Sequence, residues 1–237
     1  MNLRKLVVTC LYLPFYCFNS FLRLFVTNQA VIRIILMHDI PEHQHENFKS
    51  KIKHISKKWN FISTEDLKNH FSGKNKLIGR NVLLTFDDGF KSNRIIADKI
   101  LDPLGIKALF FIIGNFVEQY SKENQLNFIK ENLYPEWRGH DYPPNIDEME
   151  NMDIDDLKHL INKGHSVGFH SSNHRNLSEI ELKSHLESEI VDGALALEKK
   201  LDQKIKHFSF GYGNINFFSK NALKVAHKHF DFIYTGM

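Results

Sequence analysis

From Ala30 onward, short apolar runs alternate with stretches whose apolar residues recur three or four positions apart. An unbroken apolar run reads as a buried strand, and the 3.6-residue recurrence as an amphipathic helix. The strands so predicted are Val31 to Met37, Val82 to Phe86, Ala108 to Ile113, Ser166 to Phe169, Lys206 to Phe210 and Asp231 to Tyr234. A helix over Glu46 to Trp59 carries Phe48, Ile52, Ile55 and Trp59 at helical spacing, and a shorter one opens at Thr64 and stops near Gly73. Further helices are expected over Arg94 to Leu101, closed by Pro103 and Gly105, and over Asp155 to Lys163, ended by Gly164. The capping-box signature Ser178-x-x-Glu181 opens a long helix to about Lys200, and a last helix covers Ser219 to His229. Short strands alternating with helices predict an α/β fold with a parallel sheet and helices outside it. Six such strands fit a closed or nearly closed barrel better than a dinucleotide fold, and no Gly-x-Gly-x-x-Gly or Walker sequence follows any of them.

Two segments break this rhythm. Residues 115–152 carry Trp137, Tyr142, Pro143, Pro144 and the start of an acidic run, Asp147, Glu148 and Glu150, that continues just past them through Asp153, Asp155 and Asp156. An insertion of this length beside an α/β domain reads as a lid or binding loop, or equally as a solvated excursion. Residues 1–29 form an apolar N-terminal segment, in which Leu6 to Leu22 is uncharged and flanked by Arg4, Lys5 and Arg23. That run lies at the short edge of the membrane-spanning range. Pro14, Asn19 and Ser20 dilute it, and no small-x-small cleavage site follows, so a membrane-associated or docked helix is expected over a cleaved signal. The domain expected is therefore 30–237, with the N-terminal segment as a candidate membrane contact.

Composition narrows the chemistry. The chain has 237 residues and a formal net charge of +3, too little for the electrostatic footprint of a nucleic-acid protein. Its two cysteines, Cys10 and Cys17, both lie in the N-terminal segment, which excludes a disulfide framework or thiolate zinc site in the domain. Any metal there needs His and carboxylate ligands.

In parallel α/β folds the site lies at the carboxyl ends of the strands, where the loops converge. The first predicted strand ends in His38-Asp39 and the second in Asp87-Asp88-Gly89. The fourth ends in His170-Ser171-Ser172-Asn173-His174, the fifth in Gly211-Tyr212-Gly213. Adjacent carboxylates at a strand end point in different directions, so one can ligate a cation while the other faces a water. Two His four apart can reach the same ion if the segment turns helically. One Asp with two His gives three protein ligands and open positions, the pattern of a catalytic metal site.

Thr85-Phe86-Asp87-Asp88-Gly89 and, later, His170-Ser171-Ser172-Asn173-His174 resemble the first two motifs of the polysaccharide deacetylases, carbohydrate esterase family 4 or the NodB-homology group. The opening Ile35-Leu36-Met37-His38-Asp39-Ile40 is similar to the start of one large branch, and the resemblance runs from about Ile32 to Met237. It implies a distorted (β/α) barrel of the glycoside hydrolase/deacetylase type and hydrolysis of N-acetyl groups on an amino-sugar carbohydrate. It also implies a divalent metal, zinc before cobalt, nickel or iron. By position Asp88, His170 and His174 would hold the metal, Asp87 would be the general base, and the Tyr212 backbone N–H would face the oxyanion. Two departures accompany this. Gly211 replaces the family's proline, and Phe208-Ser209 stand where an arginine that orients the base is sought. The chain also stops at Tyr234-Thr235-Gly236-Met237, where the family continues to a strand and a catalytic His, so a barrel incomplete at its C-terminus is expected. His38 is then the internal candidate for the proton donor, with His140 behind it. The alternative is a catalytically impaired remnant that binds metal or carbohydrate. A two-carboxylate glycosidase is disfavoured, because Asp87 and Asp88 are adjacent and cannot span a glycosidic bond.

Overall fold

The computed structural model describes residues 29–135 and 142–236. The apolar run Leu6 to Leu22, both cysteines, Trp137 and His140 lie outside the described residues. Among the described residues, no helix is long and apolar enough to cross a membrane.

Seven parallel strands form one sheet: β1 (Val31–Met37), β2 (Asn60–Phe61), β3 (Arg80–Phe86), β4 (Ala108–Ile112), β5 (Ser166–Phe169), β6 (His207–Ser209) and β7 (Phe232–Tyr234). Their order is β1-β3-β4-β5-β6-β7, with β2 paired beside β3. The helices between them are α1 (His45–Ser56), α2 (Thr64–Phe71), α3 (Lys91–Ile96), α4 (Lys122–Phe128), α5 (Ile154–Asn162), α6 (Lys183–Glu187), α7 (Gly193–Leu201) and α8 (Lys220–His227). Every crossover returns the chain in the same direction, so all strand carboxyl ends open on one face.

The sheet has two apolar faces because its residues alternate sides. Leu84, Phe86, Phe110, Ile112, Val167, Phe169, Phe208 and Phe210 point outward into the main core, where they meet Ile96, Leu157, Leu160, Ile190 and Leu197 from the helices. Phe86 and Phe110 stack at 5.0 Å across neighbouring strands. Leu83, Leu109, Phe111 and Tyr234 point inward and form a second, smaller cluster. The strands thus curl into part of a (β/α) barrel, and among the described residues β1 and β7 do not pair with each other.

Four expectations need correction. β1 is not buried: Ile34 is 49% exposed and Leu36 47%, since β1 is an edge strand whose inner side faces a cavity. An apolar run alone does not distinguish that position from a central one. The long helix begins at Lys183, not at Ser178, because Asn176 Oδ1 accepts from both the Ser178 N–H and hydroxyl and diverts the capping box into an Asx turn. α1 ends at Ser56, and Asn60–Phe61 forms a short additional strand. The helix expected from Arg94 starts at Lys91 and runs on as a helical stretch over 91–104 to Gly105, which is left-handed at φ 68°.

Residues 115–152 are not merely solvated. Phe116, Phe128, Ile129, Leu133, Ile146 and Met149 bury themselves against Phe90 and Ile113. The segment returns beside the Asp87-Asp88-Gly89 turn, where the Met152 N–H donates to the Gly89 carbonyl at 2.8 Å.

His207 sits on the inner face, its Nδ1 3.0 Å from the Tyr234 hydroxyl and its ring stacked 5.0 Å from Phe232. Burial lowers it from 6.5 to about 4. Between those values the unfolded chain binds a proton that the native protein does not, so stability rises with pH there. We predict that the unfolding free energy from urea titrations falls as pH drops from about 6.5 towards 4, by at most about 3 kcal/mol from this group, and that His207→Gln flattens that slope.

Candidate metal centre

The sheet delivers four acid/base side chains to its carboxyl face. Asp87 and Asp88 follow β3 directly, and the Asp87 N–H is held by the Met37 carbonyl at 2.9 Å. Asp88 is left-handed at φ 74°, which turns its carboxylate away from that of Asp87. His170 follows β5, its N–H donating to the Ile112 carbonyl at 2.8 Å. The segment to His174 is a loop, not the helical turn expected. Its sharp curvature comes from left-handed Ser171 at φ 66° and His174 at φ 56°, and the His174 N–H caps back onto Ser171 Oγ at 2.9 Å. Together with Tyr212 at φ 61°, four of the five left-handed non-glycine residues described stand at this one face. Such residues are strained and cluster where function needs a special geometry.

One ligand atom from each of Asp88, His170 and His174 lies within 4.8 Å of the other two, and all three residues are buried. Asp88 Oδ1 is 3.8 Å from both imidazole Nε2 atoms, and Asp87 Oδ2 is 3.6 Å from His170 Nε2. Each ring is oriented from behind. His170 Nδ1 lies 2.8 Å from the Ser209 carbonyl and His174 Nδ1 lies 3.3 Å from the Asn132 carbonyl. A carbonyl only accepts, so Nδ1 of each ring carries a proton, and in a neutral ring Nε2 is then left free to face Asp88. His170 is lowered to about 4, by burial first and by His174 second, so it is neutral at pH 7 and its contacts with the carboxylates are not ion pairs. Asp87 is raised well above the usual carboxylate range, by burial first and by Asp88 second.

Carboxylate and imidazole ligand atoms therefore converge in one buried space. Asp87 Oδ1 and Asp88 Oδ1 are buried with no hydrogen-bond partner among the described residues. The orphaned Asp88 Oδ1 facing two imidazole nitrogens fits a cation, and one carboxylate with two imidazoles suits a borderline-soft divalent ion.

Of the residues singled out in the sequence, Asp87, Asp88, His170, His174, Tyr212 and His38 all line one cavity of about 820 Å³, with Phe111, Ser209 and Tyr234 among its walls. Only Asp88, His170 and His174 form the close cluster, with Asp87 beside it. His38 is exposed at the cavity edge. The Tyr212 ring lies 4.6 Å from that of His174 and stacks at 4.7 Å on Phe217. Gly211, a departure from the expected motif, leaves room for His174: a Cβ there would stand 3.1 Å from its Nε2 and Cδ2. The carbonyls of Ser209 and Asn132, which orient the rings, went unforeseen, because backbone acceptors leave no residue-type signal.

A family model described as polysaccharide deacetylase matches residues 74–229. No curated protein matches the sequence. IcaB from Ammonifex degensii is similar at 18% identity over 88% of this chain and 84% of its own, with a TM-score of 0.65. The Streptococcus pyogenes deacetylase PplD, solved with acetate, is similar at 18% identity over 86% and 80% of the two chains, with a TM-score of 0.61. The BpsB deacetylase domain from Bordetella bronchiseptica is similar at 16% identity over 84% and 86%, with a TM-score of 0.62. At these identities the likeness is one of fold.

The paired carboxylates carry a further consequence. Asp87→Asn removes a like charge from a buried pair while preserving shape, so the metal-free variant should be more stable at pH 7 by on the order of 1 kcal/mol. Urea unfolding in the presence of a chelator measures this, and a midpoint equal to or below that of the parent contradicts it.

Proposed function

The chain belongs to the polysaccharide deacetylase family, and on that premise we propose that it is a metal-dependent hydrolase removing N-acetyl groups from an amino-sugar carbohydrate. The observation that carries this reading is the convergence of buried Asp88, His170 and His174 ligand atoms beside Asp87, with an oxygen of each carboxylate left without a hydrogen-bond partner among the described residues. Asp88, His170 and His174 hold the ion, with zinc the best match to their chemistry. When bound, the ion lowers the pKa of a water and polarises the amide carbonyl.

The chain's own residues supply the rest. Asp87 accepts the proton of the attacking water, and its raised pKa brings it nearer to the range useful for a general base at neutral pH. Water oxygen bonds to the carbonyl carbon, and the Tyr212 main-chain N–H donates to the developing oxyanion. Collapse breaks the carbon–nitrogen bond, and His38 at the cavity edge returns a proton to the leaving amine. The products are acetate and a free amino sugar. The cavity is open along β1, which suits a sugar that enters from the side.

Asp87→Asn should lower acetate release from N-acetylglucosamine oligomers and from lipid-linked amino sugars by at least a hundredfold, while zinc content stays near one equivalent. Asp88→Ala should lose both zinc and activity. Acetate release with isothermal titration of Zn²⁺ measures both arms. A folded protein that takes up no divalent ion overturns the reading. Zinc uptake without release from any amide tested replaces it with a metal- and carbohydrate-binding role.

A further inference from the structure

The loop from His170 to His174 is gripped from two sides. On one, the Gly114 and Asn115 N–H groups donate to the Ser171 and Ser172 carbonyls at 3.0 and 2.9 Å, and Asn115 Nδ2 donates to Asn173 Oδ1 at 2.7 Å. On the other lies a widened helical turn, Ser188–Asp192, set between α6 and α7. Single widened turns of this kind occur mostly as local bulges in helices, frequently at functional sites. Here the bulge brings its own backbone to the loop. The Ser172 N–H donates to the Glu189 carbonyl at 2.9 Å and Ser172 Oγ to the Ser188 carbonyl at 3.1 Å. Gly193 permits the approach, since a Cβ there would stand 2.1 Å from Ser172 Oγ.

The bulge also delivers a carboxylate. Glu189 is 5% exposed and forms no ion pair among the described residues. Its side chain takes the Asn173 N–H at 3.0 Å on Oε2 and Asn173 Nδ2 at 2.8 Å on Oε1. Burying a charge this deeply is costly unless hydrogen bonds compensate it, and both described donors belong to one residue. Asn173 directly precedes His174 in the loop that His170 opens. Fixing its main-chain and side-chain amides together sets the turn from Ser171 to His174, and with it the direction of both rings.

We propose that Glu189 is a positioning residue: its two-point grip on Asn173 holds the strained loop in the conformation that points His170 and His174 at Asp88. This rests on the reading above that those three residues hold a divalent ion. Glu189 itself touches neither ion nor substrate.

The test uses the full chain with Glu189→Gln and Asn173→Ala. Glutamine keeps the shape of Glu189 but sets an NH₂ against one of the two Asn173 donors. Two readouts are taken: amide hydrogen exchange of the metal-free protein, and Co²⁺ affinity followed by absorption titration. For E189Q, exchange at Ser172, Asn173 and His174 should rise at least tenfold while β4 amides stay unchanged, and Co²⁺ should bind 10- to 100-fold more weakly. N173A should show a smaller effect of the same kind, and should add little in the E189Q background. Unchanged loop exchange, or an increase spread equally over β4, overturns the proposal. If the parent protein binds no Co²⁺, the metal reading fails and the loop-exchange result decides the role of Glu189 by itself. Should E189Q not fold, N173A carries the same two readouts, and the same outcomes support or overturn the proposal.

Discussion

Two buried carboxylates and two imidazoles face a common space, and no donor among the described residues answers Asp87 Oδ1 or Asp88 Oδ1. That arrangement is unfavourable by itself: burial raises Asp87 and the Asp88 carboxylate adds to it, while burial lowers His170 and His174 adds to that. The fold holds it together because the parts that carry it are not free to relax. Asp87 is pinned to β1 through the Met37 carbonyl, and His170 to β4 through the Ile112 carbonyl. Beneath them the sheet packs Phe86, Phe110, Phe169 and Phe208 at 1% exposure or less, a core too dense to deform for local relief.

Position and orientation come from different sources. Parallel strands bring the side chains to one face, a consequence of topology alone. The directions of the rings depend on loops, through the Ser209 carbonyl behind His170 and the Asn132 carbonyl behind His174. They depend as well on the left-handed backbone at Asp88, Ser171 and His174, which non-glycine residues adopt only under constraint.

This division explains what could be read from the chain. The strand cores were legible because Val82 to Phe86, Ala108 to Ile112 and Ser166 to Phe169 are unbroken and short, and the chemistry was legible because it sits immediately after them. Burial of β1 was not, since Ile34 and Leu36 look like core residues wherever the strand lies in the sheet. Ser178-x-x-Glu181 looked like a helix start, but Asn176 offered a nearer acceptor. The bulge at Ser188–Asp192 has no composition signal. Glu189 left a faint one: an acidic residue three positions after buried Leu186 and next to buried Ile190, on the stripe where an apolar residue belongs.

The segment over 115–152 changes meaning in this light. Its apolar residues anchor it on Phe90 and Ile113, each close in sequence to a strand end of the site. One of its carbonyls orients His174, and Asn145 Nδ2 donates to Asp39 at 3.1 Å while Ser92 Oγ donates to the same carboxylate at 2.7 Å. Asp39 follows His38 at the end of β1, so the segment contacts the site both through His174 and next to His38. A lid closes over a site that is otherwise complete. Here the excursion supplies part of the frame that orients the His174 ring, so its sequence constrains the cluster even though none of its described side chains is among the three clustered groups. The site is therefore built by three layers at once: strands that deliver, turns under strain that aim, and an inserted segment that fixes the aim from outside the sheet.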